Sequence, residues 1–310
     1  MNFTRFRFAC GTSMMKIGQK ELNASAIVFL SPAVIAVMFI VVYPVAYGLL
    51  MGFTDRSLSY DNFSFIGFDN FMAIFRDPVF FRALGNTFKL TLLAVLLYSL
   101  MGFCMALLLN SSERYIGFFR VLFFLPWVLP STVVAFSFRW LYNDYYGYIN
   151  YLLLKYNIIE AAVNPLARMG LVWPAILLPT VWFTYPFVML AIGSALKSID
   201  RNMLEAARID GANRWQIFRE LTLPALTPTI IMLTVLQVIW EFSSFDLVYL
   251  LTKGGPGNAT LTLSLYIYRR AFAYRHIGYS CALATVLFVI IVFLIMVYFI
   301  LAKRGEKDES

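Results

Sequence analysis

The chain reads as an all-α, polytopic membrane protein with six transmembrane helices, and three features of the sequence point that way. Hydrophobic residues make up 61% of it and charged residues 14%, against roughly 45–50% and about 25% in a soluble domain. Mean hydropathy is +0.74, so polar groups are too few to cover a surface in water. The long charge-free stretches also approach or exceed the ~20 apolar residues that a spanning helix needs.

The first stretch, Leu22–Thr54, follows a tail of residues 1–21. It is far longer than the apolar region of a secretory signal, ~7–15 residues, and is read as a span. The second is Leu90–Ser112. The third, Val121–Phe138, is short but carries on through Trp140-Leu141-Tyr142, aromatics suited to an interface. Met169–Leu196 is the fourth. Leu221–Trp240 is the fifth, continuing past Glu241 to about Thr252, and Ile277–Ala302 is the sixth, before a tail of residues 303–310. Loops 55–82 and 143–168 are too short for a second domain, so residues 22–302 are read as one membrane domain.

Lys and Arg set the expected orientation. With the N-terminus in the cytoplasm, fourteen fall inside and nine outside, Lys89 and Arg139 being left at helix edges. That bias places both termini inside. Loop 253–275 works against it: Lys253, Arg269, Arg270 and Arg275 interleave there with Tyr266, Tyr268, Phe272 and Tyr274. It reads as an amphipathic helix on the outer membrane face. The net charge of +8 is the ordinary basic bias of a membrane protein and calls for no nucleic acid.

Several chemistries have no residues to carry them. Cys10, Cys104 and Cys281 are odd in number and have no metal-site or disulfide-framework spacing. His276 stands alone and is given no role. No nucleophile–base set lies at membrane depth. No G-x-x-x-x-G-K-[ST] is present, and Lys253-Gly254-Gly255-Pro256-Gly257 lacks the following Lys-Ser/Thr and one amide. Any driving energy is expected from another polypeptide or an ion gradient.

Between the fourth and fifth spans lies a polar segment, about 198–224. Asp200 suits an N-cap, with Ile199 and Leu204 placed as a hydrophobic staple. Leu204, Ala207 and Arg208 share one face at helical spacing. Gly211 fits the left-handed position after a helix end. A second helix presents Trp215, Phe218 and Leu221 on one face, and Pro224 begins the return into the membrane. Small Ala206, Ala207 and Ala212 allow a partner surface to approach.

Glu205-Ala206-Ala207, Gly211 after three residues, then Leu221-Thr222-Leu223-Pro224 after nine more resembles the EAA loop of ABC importer permeases, E-A-A-x3-G-x9-I-x-L-P, with Leu221 in place of Ile. The resemblance implies the type I ABC importer permease fold. It assigns ATPase coupling to Glu205, Ala206, Ala207, Asp210, Gly211 and Ala212, with Glu205 making a polar contact and Gly211 shaping the turn. It further implies a second homologous permease subunit, two copies of an ABC ATPase that hold the ATP and Mg, and an extracytoplasmic solute-binding protein. The setting is the lipid of a bacterial inner membrane. No cofactor or metal belongs to this chain.

Phe65-Ile66-Gly67-Phe68-Asp69-Asn70-Phe71, Arg82-Ala83-Leu84-Gly85-Asn86-Thr87, Phe124-Leu125-Pro126 and Leu251-Thr252-Lys253-Gly254-Gly255-Pro256 resemble the carbohydrate branch, similar to the maltose, lactose or glycerol-3-phosphate permease of the first type. Gln237, Glu241 and Ser244 fall at i, i+4 and i+7 of the fifth helix, with Trp240 beside them. A carboxyl inside a span costs ~2.5–3.5 kcal/mol on insertion scales and so faces a cavity or a partner. Acceptors, amides and an aromatic face suit a sugar. In the maltose permease the positions matching Gln237, Glu241 and Ser244 line the sugar site, and so does the one matching Phe187. Thr184 is assigned with them to the solute path. Two alternatives stay open for Glu241: water at a helix end, or a bond to the partner permease. Asp246 is placed at the outer interface near Lys253. The cargo expected is polyhydroxylated, uncharged or cationic. A rival reading is an ion-coupled secondary transporter using Glu241 and Asp246. Six spans without an inverted repeat are few for that machine, and the EAA loop would have no purpose in it.

Overall fold

The computed structural model describes residues 29–60, 62–110 and 115–308. The expected tail 1–21 with Cys10, the start of the first span, residues 111–112 at the end of the second, and Arg114 lie outside the described residues.

Five helices are long and apolar enough to cross a membrane, or six spans if one bent pair counts as one. They are α1 (Phe29–Met51), α3 (Pro78–Leu108), α7 (Val172–Ser198), α9 (Arg214–Phe242) and α12 (Ile277–Asp308). The bent pair is α4 (Ile116–Val128) and α5 (Ser131–Leu141). Shorter helices fill the connections: α2 (Asp69–Arg76), α6 (Tyr148–Lys155), α8 (Arg201–Ile209), α10 (Asp246–Thr252) and α11 (Leu263–Tyr268, prolonged by a π turn Arg269–Ala273).

Four expectations change. The third span is not one helix: α4 and α5 meet at 91°. Leu129, preceding Pro130, is extended at ψ 144°, as a residue before proline is driven to be. The second span begins at Pro78 rather than Leu90. Asp77 caps it, accepting from Val79 N–H at 2.9 Å, and Pro78 occupies the first turn. Arg82 and Lys89 therefore lie within the helix, and Lys89 rests over the Trp173 ring at 4.2 Å. The fifth span breaks at Ser243 instead of running to Thr252, and α10 resumes as a separate helix. The last helix continues to Asp308, through the residues expected as a tail.

α3 and α7 pack as the spine of the bundle. Gly102 makes the close approach possible: a Cβ there would lie 2.5 Å from Val188 Cβ and 2.7 Å from the Tyr185 carbonyl oxygen. Around this contact Tyr98, Tyr185, Val188, Ile192 and Leu226 form one buried cluster. A second gathers Phe80, Leu90, Ile176, Val248, Leu263, Leu265 and Leu283 towards the other end.

At that end the connections are tied by side-chain amides. Asn70 donates to the carbonyls of Gly52 (2.9 Å) and Thr54 (2.8 Å). Asn86 donates to those of Asn258 (3.1 Å) and Leu261 (3.0 Å). Thr87 Oγ1 accepts from Leu263 N–H at 2.8 Å. The asparagines of two sequence motifs are thus fasteners of the loops at the end of the bundle opposite α8. Asn86→Ala removes both bonds from α3 to the loop after α10 and should cost about 1–3 kcal/mol. The check is thermal unfolding of the purified chain in detergent; an unchanged midpoint would show that the loop is held otherwise.

Loop 253–275 packs one part of its length inward and leaves Phe272 and Tyr274 62% and 59% exposed. Leu263, Leu265 and Tyr266 of α11 are buried in the core. Tyr266 donates to Asp77, and Arg270 makes an ion pair with Asp77 at 3.2 Å. From the Tyr–Arg interleaving, Tyr266 and Arg270 serve this inward network.

Candidate functional site

Two features lie apart along the bundle, one at its end beside α8 and one level with Thr184, midway along α7. α9 starts beside the polar loop and reaches Glu241 about 40 Å further on, at 1.5 Å per residue.

The first is the helical knuckle α8 with the start of α9. Asp200 caps α8, accepting from Asn202 N–H at 2.9 Å. Gly211 then turns the chain at φ +87°, its N–H donating to the Arg208 carbonyl at 3.1 Å. Asn213 opens α9 with a reciprocal capping box to Gln216, at 2.9 and 2.8 Å. Sequence reading did not pick out that box, although Asn213 and Gln216 have its spacing. Leu204 and Ala207 are half-buried beneath α8, while Glu205, Ala206, Arg208, Asp210 and Gly211 are exposed; Ala212 is half-buried. Ile209 is 86% exposed, an apolar side chain held in the open. Trp215 and Phe218 pair at 5.6 Å, and Phe218 meets Phe103 of α3 at 6.3 Å. The knuckle is thereby seated on the long helices. α9 runs unbroken from Arg214 through a π turn at Ile217–Thr222, so Pro224 is an internal residue of the helix and no fresh start.

The second feature is a cavity of about 380 Å³. Of the residues singled out in the sequence it brings together Thr184, Trp240, Glu241 and Ser244. Ser244 lies in the break after α9, not on its stripe, yet it reaches the same wall. Gln237 and Phe187 are not in the wall. Gln237 is buried one turn below and accepts from Ser99 Oγ at 2.9 Å. Phe187 lies between Trp127 (5.8 Å between ring centroids) and Trp240 (5.3 Å), backing the cavity with aromatic surface. Asp246, expected at the outer interface near Lys253, follows the break before α10; it is exposed, yet it borders the cavity and accepts from Ser131 Oγ at 3.3 Å. Tyr98, Trp127, Ser131, Phe183 and Phe245 were not foreseen there. Glu241 is 8% exposed, and its Oε1 has no hydrogen-bond partner.

Spanning helices around a polar, aromatic-walled cavity, with an exposed capped knuckle at the far end, define a membrane translocation component. The comparisons place it: the chain belongs to the family described as binding-protein-dependent transport system inner membrane component, which matches residues 99–305. It is a permease subunit of the ABC importer class. It is similar to the sulfoquinovosyl glycerol transport system permease protein SmoG of Agrobacterium fabrum, 34% identical over 93% of this chain and 92% of that one. The probable ABC transporter permease protein YesP of Bacillus subtilis is 36% identical over 93% of each. The lactose transport system permease protein LacF of Rhizobium radiobacter is 34% identical over 90% and 94%. Among solved structures, a bacterial ABC transporter involved in import of the acidic polysaccharide alginate matches with TM-score 0.81 at 25% identity, over 94% of this chain and 98% of that chain.

Proposed function

We propose that this chain is one of two homologous permease subunits of an ATP-driven importer, taking up a sugar or sugar-like solute handed over by an extracytoplasmic binding protein. The observation that carries the cargo reading is the cavity, where Thr184, Ser244, Glu241 and Trp240 set hydroxyls, a carboxyl and an aromatic face around one space. Such a set matches the hydroxyls and the apolar face of a sugar ring. Relatives named for lactose and sulfoquinovosyl glycerol support it. So does the alginate transporter, solved with a pentasaccharide-bound periplasmic protein.

In this reading Glu205, Ala206, Ala207, Asp210, Gly211 and Ala212 meet an ABC ATPase subunit on the cytoplasmic side, one of two that hold ATP and Mg. Both termini then lie in the cytoplasm of a bacterial cell, and the site of hydrolysis lies on another polypeptide. Closure of the ATPases moves α8. The capped ends at Asp200 and Asn213 and the Trp215–Phe218–Phe103 seat pass that movement to α3 and α9. The solute undergoes no chemistry; α9 and the broken α4–α5 segment change its access from one side to the other. Gln237 and Phe187 serve from behind the wall, holding α3 and the aromatic layer.

The test is uptake of labelled mono- and disaccharides by vesicles that hold the assembled complex and its binding protein. Uptake should need ATP, stop with vanadate and survive an uncoupler while ATP is maintained. Uptake that collapses with the uncoupler alone would instead establish the ion-coupled transporter with Glu241 and Asp246.

A further inference from the structure

The two carboxyls of the cavity stand together without a cation. Glu241 lines it while more than nine-tenths buried, and its Oε1 is unpartnered. Asp246 contributes a second carboxyl, met only by the neutral Ser131 hydroxyl. No Lys, Arg or His is among the described residues that line the space. The cations of nearby helices are turned elsewhere: Arg139 donates to the Leu250 carbonyl at 3.3 Å, and Lys89 sits over Trp173. The remaining wall adds no cation, being largely aromatic: Tyr98, Trp127, Trp240 and Phe245. Two of the hydroxyls are already spent on helix carbonyls, Thr180 on Ile176 (2.9 Å) and Ser243 on Ile239 (2.8 Å). Those two can still accept from a solute hydroxyl but have no proton left for an anion, and the strongest acceptors in the wall are the two carboxyls.

We infer that this cavity admits polyhydroxylated solutes that are uncharged or carry an ammonium group, and turns acidic sugars away. The inference rests on the reading of the cavity as the solute path. A sugar hydroxyl gains a charge-assisted bond to the Asp246 carboxylate and a hydrogen bond to the buried Glu241 carboxyl, and an ammonium is drawn to both acidic groups. An acidic sugar brings a carboxylate that loses its water, meets like charge and finds no cation. The chain therefore parts in charge preference from the acidic-polysaccharide importer whose fold it shares and from the relative named for sulfoquinovosyl glycerol, a sugar that carries a sulfonate.

The experiment reads the sign of the cavity without knowing the cargo. Ser244→Cys is placed in a chain whose Cys10, Cys104 and Cys281 are changed to Ser, and the complex is purified with its partner subunits in mild detergent. Modification rates are compared for two methanethiosulfonates of similar size, trimethylammonioethyl (cationic) and sulfonatoethyl (anionic), each normalised to a free thiol in solution. The normalised cation-to-anion ratio should be about 10 or more, the range in which a cleft of one sign concentrates counter-ions. It should fall towards 1 when E241Q and D246N are added. Thr184→Cys, from the facing helix, gives the same comparison if Ser244→Cys is inert to both reagents. A ratio near 1, or one unmoved by E241Q and D246N, overturns the inference, and so does a basic side chain entering from the second permease. Failure of the transport reading looks different: the ratio stands, but the unmodified complex shows no ATP-driven uptake.

Discussion

Gly211→Pro should abolish ATP-driven uptake while the chain still inserts in the membrane and the ATPase subunits still hydrolyse ATP. Gly211 is at φ +87°, and proline is fixed near −65°. Its N–H also closes the end of α8 on the Arg208 carbonyl, a bond that proline cannot make. Nothing lies within 4 Å of where a Cβ would be, so the damage is to backbone direction and involves no clash. α8 would leave its seat over the start of α9, and the exposed face with Glu205 and Ala206 would meet the ATPase at the wrong angle. Gly211→Ala grades the effect, since a left-handed non-glycine residue costs about 1–3 kcal/mol, and should leave partial transport. Glu205→Lys reverses the exposed charge without touching the fold and should uncouple hydrolysis from uptake. Full uptake by both Gly211→Pro and Glu205→Lys would remove the coupling role from this knuckle.

The knuckle was legible because its determinants are local. A cap at Asp200, a turn at Gly211 and an aromatic face from Trp215 to Phe218 follow from spacing within two turns of helix. The existence of the spans was legible for a similar reason, since twenty apolar residues in a row have one comfortable solution in lipid. Four features resisted. The break of the third span depends on Leu129 yielding to Pro130, and the nearby Pro126 is tolerated inside α4, so proline alone did not mark the position. Asp246 faces the cavity only because the chain stops being helical at Ser243 and restarts, and the run Glu241–Thr252 is apolar enough to pass for one helix. The start of α3 was hidden by using charge as a membrane boundary, whereas Arg82 and Lys89 are carried in the outer turns of a real helix. The inward contacts of loop 253–275 were hidden for a further reason, separation along the chain: Tyr266 and Arg270 lie 189 and 193 residues from Asp77.

Asp77→Ala should be the most destabilising change at the end of the bundle opposite α8, lowering stability by about 2–3 kcal/mol. Removing one partner of a buried pair costs ~3–5 kcal/mol. The figure is reduced here because the Asp77 and Arg270 side chains are 12% and 29% exposed and solvent screens what it reaches. One carboxyl caps α3 through Val79, accepts from Tyr266 and from Tyr279 (2.9 Å), and pairs with Arg270, which also donates to the Tyr266 hydroxyl (2.7 Å). Its loss would strand two hydroxyls and a guanidinium where α3, α11 and α12 meet. Burial works against ionisation of Asp77, but the hydrogen bonds from Tyr266, Val79 and Tyr279 and the charge of Arg270 outweigh it, so the carboxyl titrates below its ordinary range. A carboxyl with a lowered folded-state value stabilises above the unfolded-state value, near ~3.9, and its contribution is lost as pH falls through the folded one. The thermal midpoint in detergent should therefore drop by roughly 5–10 °C for Asp77→Ala at neutral pH. Asp77→Asn keeps an acceptor for Val79 and should fall between. The gap to the unaltered protein should narrow only below about pH 4. A gap constant down to pH 3 would mean that Asp77 acts through packing and not through its charge. Because this clamp lies far from α8, both variants that fold should retain vanadate-sensitive uptake at low temperature, separating the fastening of these loops from the coupling to ATP.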